Sequence, residues 1–353
     1  MELNNIIFSI FLLFFGYYTS NYILKLFYKS KFNYLADNDY LKPQAFHDVP
    51  IYSLGGAICF FLLILVFAYL SILKNIFILE YLSFATLFFI LGFIDDFKIK
   101  IAPKFRLLVM VGLLVFLVIY NKIYIEKTGL EFLNNLLEID IFSLIFICIC
   151  FLFIINGSNF IDGFNGLLGI HALMIFVILF GINLLNENYN MMYILFFISL
   201  ITLIFITFNF PKAKIFLGDG GAYLFGILIA LSSIKTSILN PSVSPFFFGI
   251  LLFYIFFEVF FSFFRKLLIV GQSPLLPDRE HLHMLLYKFL LKKNKEKLQS
   301  NYTVSIYINS FYFLFMFPAF VFMHDGLFCR YYFFFLLILY IYFYRHLLRK
   351  LKL

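Results

Sequence analysis

Residues 147–180 read ICICFLFIINGSNFIDGFNGLLGIHALMIFVILF: two apolar runs are interrupted by the stretch 156–169, which holds three asparagines, one aspartate and four glycines. Extended to their ends, the flanking runs approach the roughly 17 to 25 apolar residues that a helix needs to cross a bilayer core. Polar groups at membrane depth are costly unless water, a partner or a ligand receives them. The stretch therefore carries two expectations: helices that span a membrane, and a polar turn between them that is there for a reason.

The same alternation runs through the whole chain. Of its 353 residues, 63% are hydrophobic and 13% charged, with a mean hydropathy of +0.98. Too little charged surface remains to cover a soluble domain, which excludes that class. An all-α, polytopic integral membrane protein is expected, as a single domain over residues 1–353. Apolar runs of spanning length lie near 6–26, 54–73, 76–94, 107–124, 137–155, 166–185, 190–208, 220–239, 245–264, 303–323 and 331–347, about 11 in all, the fourth and fifth short or polar-edged. The first has no small-residue cleavage site after it and reads as a retained helix.

Basic residues in short loops mark the cytoplasmic side. With the N-terminus placed outside, in the periplasm, one set of loops holds 22 of the 27 Lys and Arg residues, among them Lys98, Lys100, Lys104, Arg106, Lys212 and Lys214. The opposite set holds only Lys74, Lys122, Lys127, Lys235 and Arg330. The net charge of +8 is thereby a signal for the cytoplasmic leaflet of an inner (plasma) membrane and calls for no nucleic acid. The cytoplasmic loops fall near 27–53, 95–106, 156–165, 209–219 and 265–302. Cys59, Cys148, Cys150 and Cys329 lie in or beside apolar segments without zinc-like spacing and read as small buried hydrophobes.

Five polar clusters fall on that one face: FHDVPIYSLGG (46–56), LGFIDDFKIK (91–100), the opening stretch, NFPKAKIFLGDGGAYLFG (209–226) and PLLPDREHLHMLLYK (274–288). They point to a single site assembled from several helix ends. Asp95 and Asp96 would repel each other without a cation or a basic partner, and Lys98 and Lys100 follow them. Asn156, Asn159, Asp162 and Asn165 recur every three residues, a spacing that stacks them along one side of a tight helical turn. Amide and carboxylate groups of this kind suit magnesium, its waters or sugar hydroxyls. Asp219 precedes a glycine pair and a new apolar helix, where it can cap the helix, hold magnesium, or both. Asn209 lies ten residues earlier on the same face. His281 and His283 lack the i,i+4 spacing of a zinc helix and can donate to phosphate, with Arg279 adding fixed charge. The lysine-rich segment after them reads as an interfacial helix on anionic lipid. His171 and Glu258 read as packed or snorkelling helix residues, and Asp325 falls on the opposite face.

The order DD, N-x-x-N-x-x-D-G-x-N-G-L, F-L-G-D-G-G and P-D-R-E-H-L-H, running from about Lys42 to Lys288, resembles the polyprenyl-phosphate N-acetylhexosamine-1-phosphate transferases, the MraY/WecA family. The resemblance implies an enzyme that moves a sugar 1-phosphate from a UDP-N-acetylhexosamine to undecaprenyl phosphate, releasing UMP, with magnesium required and manganese as its substitute. It implies that Asp95 and Asp96 act on the lipid phosphate or help hold magnesium, and groups Asp162 with them as catalytic. Asn156, Asn159 and Asn165 join the nucleotide-sugar loop, Asp219 binds magnesium, and Asn209 is a polar residue upstream of it. Phe216 borders the uracil pocket, His281 and His283 bind diphosphate, and His47 precedes a double glycine as in the sugar-transferring branch. A homodimer is compatible with it.

Two departures bear on the branch. Ser53 stands where many relatives carry a basic residue, and Met284 replaces a further histidine. The peptidoglycan-precursor branch, the phospho-MurNAc-pentapeptide transferases, has consecutive histidines and a threonine-proline-threonine before its glycines. EHLHM and VPIYSLGG instead favour the WecA-like branch, which uses UDP-N-acetylglucosamine or a related sugar for O-antigen, teichoic acid or another surface polysaccharide. Two rival classes are a membrane transporter, whose polar residues would lie near the midplane on repeats, and a non-catalytic polyprenyl-phosphate-binding protein, which would have lost the carboxylates.

Overall fold

The computed structural model describes residues 3–30, 35–37, 51–76, 78–97, 99, 102–271, 273, 278, 280–293 and 296–351. His47, Lys98, Lys100 and Arg279 lie outside the described residues. In chain order the elements are α1 (Leu3–Ser30), β1 (Ala36–Asp37), β2 (Ile51–Tyr52), α2 (Gly55–Lys74), α3 (Leu79–Asp96), α4 (Pro103–Asn121), α5 (Glu131–Leu137), α6 (Asp140–Ile161), α7 (Leu167–Leu185) and α8 (Tyr189–Asn209). They continue with α9 (Gly218–Leu239), α10 (Pro245–Leu251), α11 (Phe253–Phe264), a π-helical turn at Arg265–Val270, α12 (Leu282–Lys292), α13 (Lys297–Val321) and α14 (Gly326–Leu351). The all-α expectation holds.

Local chemistry sets many of the boundaries. Pro103 opens α4, where a missing N–H costs nothing. Asn75 and Lys122 close α2 and α4 in the left-handed region, at φ 53° and 52°. The Asp325 carboxylate accepts the N–H groups of Leu327 and Phe328, both at 3.0 Å, and so starts α14.

Among the described residues nine helices are long and apolar enough to cross a membrane, and a bent pair makes a tenth if counted as one span. The bent pair is α10 with α11, which meet at 76°, because Leu252 at φ −96°, ψ 3° leaves the helical path. α3, with 18 residues and Glu80, Asp95 and Asp96 among them, falls outside that count. The expected 137–155 run lies almost wholly in α6, which starts at Asp140 and continues to Ile161, and the seven-residue α5 precedes it.

α9 is the core of the bundle and packs against α2, α3, α6 and α7. Glycines make these approaches close. A Cβ on Gly56 of α2 would lie 2.4 Å from the Gly221 nitrogen, one on Gly92 of α3 would lie 2.5 Å from the Asp219 carbonyl oxygen, and one on Gly226 of α9 would lie 2.7 Å from Ile155 Cα of α6. At its far end α9 is tied to α3 by the Lys235–Glu80 ion pair. The outer helices turn Phe14, Leu108 and Tyr331 outward, the apolar surface that lipid contact requires.

A short polar strap joins two helix starts. β1 and β2 pair antiparallel, and Tyr52 bridges in parallel to Ile215. Next to it the N–H groups of Gly55 and Gly56 donate to the carbonyls of Phe216 and Leu217 at 2.9 and 2.8 Å. The double glycine therefore locks the start of α2 onto the start of α9.

Candidate functional site

The polar cluster forms where α3 and α6 end and α4 and α9 begin. α9 starts without a cap of its own, since Leu217 stands at its N-cap position. Asp96, at the end of α3, supplies one: its Oδ1 accepts the Asp219 N–H at 2.8 Å and its Oδ2 the Gly220 N–H at 3.0 Å. Asp219 was expected to be able to cap this helix, and the structure gives that work to Asp96 instead. A carboxylate also complements the positive end of the helix dipole there.

The partner of Asp95 is Arg106 on the first turns of α4, with Nη1 2.8 Å from Oδ2. The Arg106 guanidinium also lies 6.0 Å from the centre of the Tyr223 ring, one turn along α9 from Asp219. The basic neighbour expected at Lys98 or Lys100 thus comes from a different helix.

The stretch that opened the sequence reading splits in two. Asn156 and Asn159 lie in the last turns of α6, Asp162 is its C-cap, and residues 162–166 form the turn into α7. Asn159 Nδ2 donates to Asp219 Oδ1 at 2.7 Å, joining α6 to α9 across the site. Asn156 instead donates to Leu152 O, four residues back in its own helix, so the every-third-residue alignment does not carry all four polar groups to one place. Asn165 is buried, giving its N–H to Asn301 Oδ1 and its Nδ2 to Pro211 O. Asn209 accepts the Gly166 N–H at 2.6 Å and donates to Ile215 O at 2.9 Å. Asn165 and Asn209 therefore act as turn supports, which places them beside the site as its scaffolding. Phe216 is half-buried in the strap, its N–H bound to Tyr52 O at 3.0 Å.

Asp162 faces the charges of Asp219 and Asp96 in dense protein, although part of its side chain reaches solvent. Burial first, then those two negative charges, push its carboxyl well above the usual range. Such a cluster gains from a cation. Among the described residues no three His, Cys, Asp or Glu side chains form a closed metal cage. Magnesium does not need one, because it commonly takes one or two carboxylates and completes its shell with water and substrate phosphates. Asp162 and Asp219 fit that requirement as hard oxygen donors.

The histidines reach the same region from α12. His281 precedes the helix and His283 lies in its first turn, both buried at 5% and 0% exposure. Their rings stack, with centroids 5.3 Å apart and planes 7° apart, and they pack on Phe160 and Phe164 of the opening stretch at 5.0 and 5.5 Å. His283 Nδ1 lies 3.1 Å from the Tyr254 hydroxyl. The open phosphate-donor role expected of both rings is at odds with the complete burial of His283, whereas His281 keeps 5% exposure. His171 is packed as expected, with Nδ1 3.1 Å from Asn309 Oδ1.

Two residues of the region were not singled out from the sequence. Arg106 was counted only as a topology charge. Glu258 was read as a packed helix residue, yet it bonds His281 at 3.0 Å. A carboxylate within FFEVFFSFF is a signal in itself, because membrane-depth charge needs a partner. An apolar cavity of about 460 Å³ lies toward the other end of the bundle, bounded by Ile149, Phe153, Ile234, Phe256 and Phe260, and none of the clustered aspartates lines it.

Residues 78–237 match the glycosyl transferase family 4 profile. The chain is 28% identical over 151 residues to the undecaprenyl-phosphate alpha-N-acetylglucosaminyl 1-phosphate transferase of Thermotoga maritima, covering 42% of this chain and 45% of the relative. It is 25% identical over 218 residues to the protein of the same name from Escherichia coli, covering 59% and 58%. It is also 31% identical over 158 residues to the phospho-N-acetylmuramoyl-pentapeptide-transferase of Listeria innocua, covering 42% and 48%. The chain thus spans about half the length of the curated relatives it matches. These matches bear out the family resemblance read from the motifs.

Proposed function

We propose that this protein transfers an N-acetylhexosamine 1-phosphate from a UDP-sugar to undecaprenyl phosphate, with UMP as the leaving product, at the cytoplasmic face of an inner membrane. The observation that carries the reading is the meeting of Asp96, Asp162, Asp219, Asn159 and Arg106 from four helix ends at one end of an otherwise apolar bundle. A transporter reading is disfavoured by the same fact, because the polar groups gather at an end and not at mid-depth.

The chemistry is a phosphoryl transfer. An oxygen of the lipid phosphate attacks the β-phosphorus of the UDP-sugar, and the bond from that phosphorus to the oxygen bridging the α-phosphate breaks. A phosphate monoester is largely dianionic near neutral pH, so the attacking group needs no general base. Positioning and charge neutralisation then dominate the rate. Magnesium, when bound, would neutralise diphosphate charge and polarise the phosphorus. Asp162 and Asp219 would hold it, with manganese as a substitute. Asn159 orients the Asp219 carboxylate, Asp96 fixes the backbone that carries Asp219, and Arg106 holds Asp95 while offering guanidinium charge to a phosphate. The apolar cavity along α6 and α11 suits a branched isoprenoid tail.

N-acetylglucosamine is the favoured sugar because EHLHM lacks a run of histidines and two of the relatives are named for that transfer. A surface polysaccharide such as O-antigen or teichoic acid is the proposed destination. The likeness to the pentapeptide-transferase keeps that donor as the second reading. The test is purified protein with undecaprenyl phosphate, magnesium and a panel of UDP-sugars, scored for UMP and lipid product. Activity with UDP-N-acetylglucosamine that EDTA abolishes supports the reading. Activity with UDP-MurNAc-pentapeptide alone transfers the assignment to the second one, and binding of the lipid without turnover of any donor overturns both.

A further inference from the structure

Glu258 is 1% exposed on α11, within a run of phenylalanines. An ionised carboxylate is not kept in such surroundings without partners. Both its oxygens have one: Oε2 lies 3.0 Å from His281 Nδ1, and Oε1 accepts the Tyr340 hydroxyl of α14 at 2.9 Å. The His281 ring is further held by the stacked ring of His283 and by Phe160. On its other edge, His281 Nε2 stands 3.9 Å from Asp278 Oδ2, beyond hydrogen-bond reach. Asp278 is itself held by Ser262 and Arg265.

We propose that Glu258 is a positioning residue: it accepts the Nδ1–H of His281 and fixes the ring, so that Nε2 is the nitrogen turned toward the substrates. Nε2 is then an acceptor for a phosphate O–H or a bound water while the ring is neutral, and a donor to a phosphate oxygen only when the ring is protonated. The claim rests on the transferase reading for the substrates, and on the structure alone for the Glu258–His281 pair. A neutral imidazole has one N–H and one lone pair, and the partner of the first nitrogen decides what the second can do. Carboxylates that orient metal-ligating histidines are worth about 10- to 100-fold in activity, and the same size of effect is expected for this pair. Tyr340 holds the carboxylate in turn, giving a chain from α14 through α11 to α12.

The test has two arms. In the first, UMP release is measured for Glu258→Gln, His281→Gln and the double variant, with thermal melting in detergent as the check on folding. Glu258→Gln is expected to lose about 10- to 100-fold in kcat, and to add less than about 2-fold in the His281→Gln background, because residues acting as a unit are not additive. A full additional loss in that background, or a silent Glu258→Gln, overturns the proposal. In the second arm, solid-state NMR of ¹⁵N-histidine-labelled protein in lipid, with His281 assigned by its loss in His281→Gln, reads the protonated nitrogen directly. A proton on Nδ1 that shifts or becomes mixed in Glu258→Gln supports positioning. An unprotonated Nδ1, or a spectrum indifferent to the substitution, overturns it. If the wild type releases no UMP with any donor, the transferase reading fails by itself and the NMR arm still decides the pair. Tyr340→Phe serves as the milder second variant should Glu258→Gln not fold.

Discussion

The carboxylate of Asp96 accepts the backbone N–H of Asp219 at 2.8 Å, so a residue at the end of α3 caps the helix that carries the principal metal-ligand candidate. Adjacent sequence supplies nothing that could replace it, since Leu217 occupies the N-cap position. Asp96→Ala should therefore lower stability by about 1 to 2 kcal/mol, the usual worth of a helix cap, and abolish transfer by letting Asp219 drift. Thermal melting and UMP release on the same preparation check both. A variant that melts with the wild type would show that Asp96 is not the cap.

Gly218 tests the same contact from the other side. It sits at φ +77°, and a Cβ there would lie 2.7 Å from Asp96 Oδ1. Gly218→Ala should combine backbone strain of about 1 kcal/mol or more with loss of the cap, giving an activity defect close to that of Asp96→Ala. Normal turnover in Gly218→Ala would mean the loop can relax without disturbing Asp219.

Removing the metal should separate the site from its packing. Asp219→Asn is expected to raise the magnesium concentration for half-maximal activity by about tenfold or more, since a carboxylate ligand becomes a neutral amide. His171→Ala, altering a fully buried ring bonded to Asn309, should lower the melting temperature and leave that magnesium requirement unchanged. EDTA titrations of both variants decide, and an equal shift in the two would count against the assignment of Asp219.

Arg106 gives a further contrast. It is bonded to Asp95, 2.8 Å away, and under the proposed function its guanidinium charge also serves the substrate phosphates. Arg106→Ala should reduce kcat about 10²- to 10³-fold, the usual effect of deleting a charge-stabilising donor, and Arg106→Lys should recover part of it because a point charge replaces a planar fork. Equal turnover in Ala and Lys variants would remove charge as the reason for the residue.

The sequence already held the bundle and most of the residues that cluster at its end, and particular residues explain what it did not. Apolar runs longer than 17 residues leave little choice but helices, and Asp95, Asp96, Asp162 and Asp219 are visible because carboxylates beside spans are expensive. Arg106 and Glu258 were passed over because each is a single charge whose partner lies elsewhere in the chain: Arg106 is 11 residues from Asp95 and Glu258 is 23 residues from His281. Spacing along a helix cannot reveal pairings that only the packing of α3 on α4, or of α11 near α12, brings about. For the same reason Asn165 and Asn209 looked like ligand contacts. Their amides are taken by Pro211, Gly166 and Ile215, a use that depends on the turn being folded.

His283 gives a prediction in pH. The imidazole is fully buried against Tyr254, His281 and Phe164, and Glu258 and Asp278 act on it from neighbouring segments. Burial outweighs the two carboxylates and lowers its pKa from 6.5 to about 4. The folded protein therefore binds fewer protons at this ring than the unfolded chain does between those two values. Stability from this residue is fully present above pH 6.5 and is lost as the pH falls through about 4. The full loss is on the order of 3 kcal/mol, from about 1.4 kcal/mol per pKa unit. Other groups titrate in the same range, so the informative quantity is a difference: the melting temperature of the wild type should drop more steeply between pH 6.5 and 4.5 than that of His283→Gln, whose amide has nothing to protonate. Parallel curves for the two proteins would mean that the ring accepts a proton in place, and that its burial is less complete than its packing against Phe164 and Tyr254 implies.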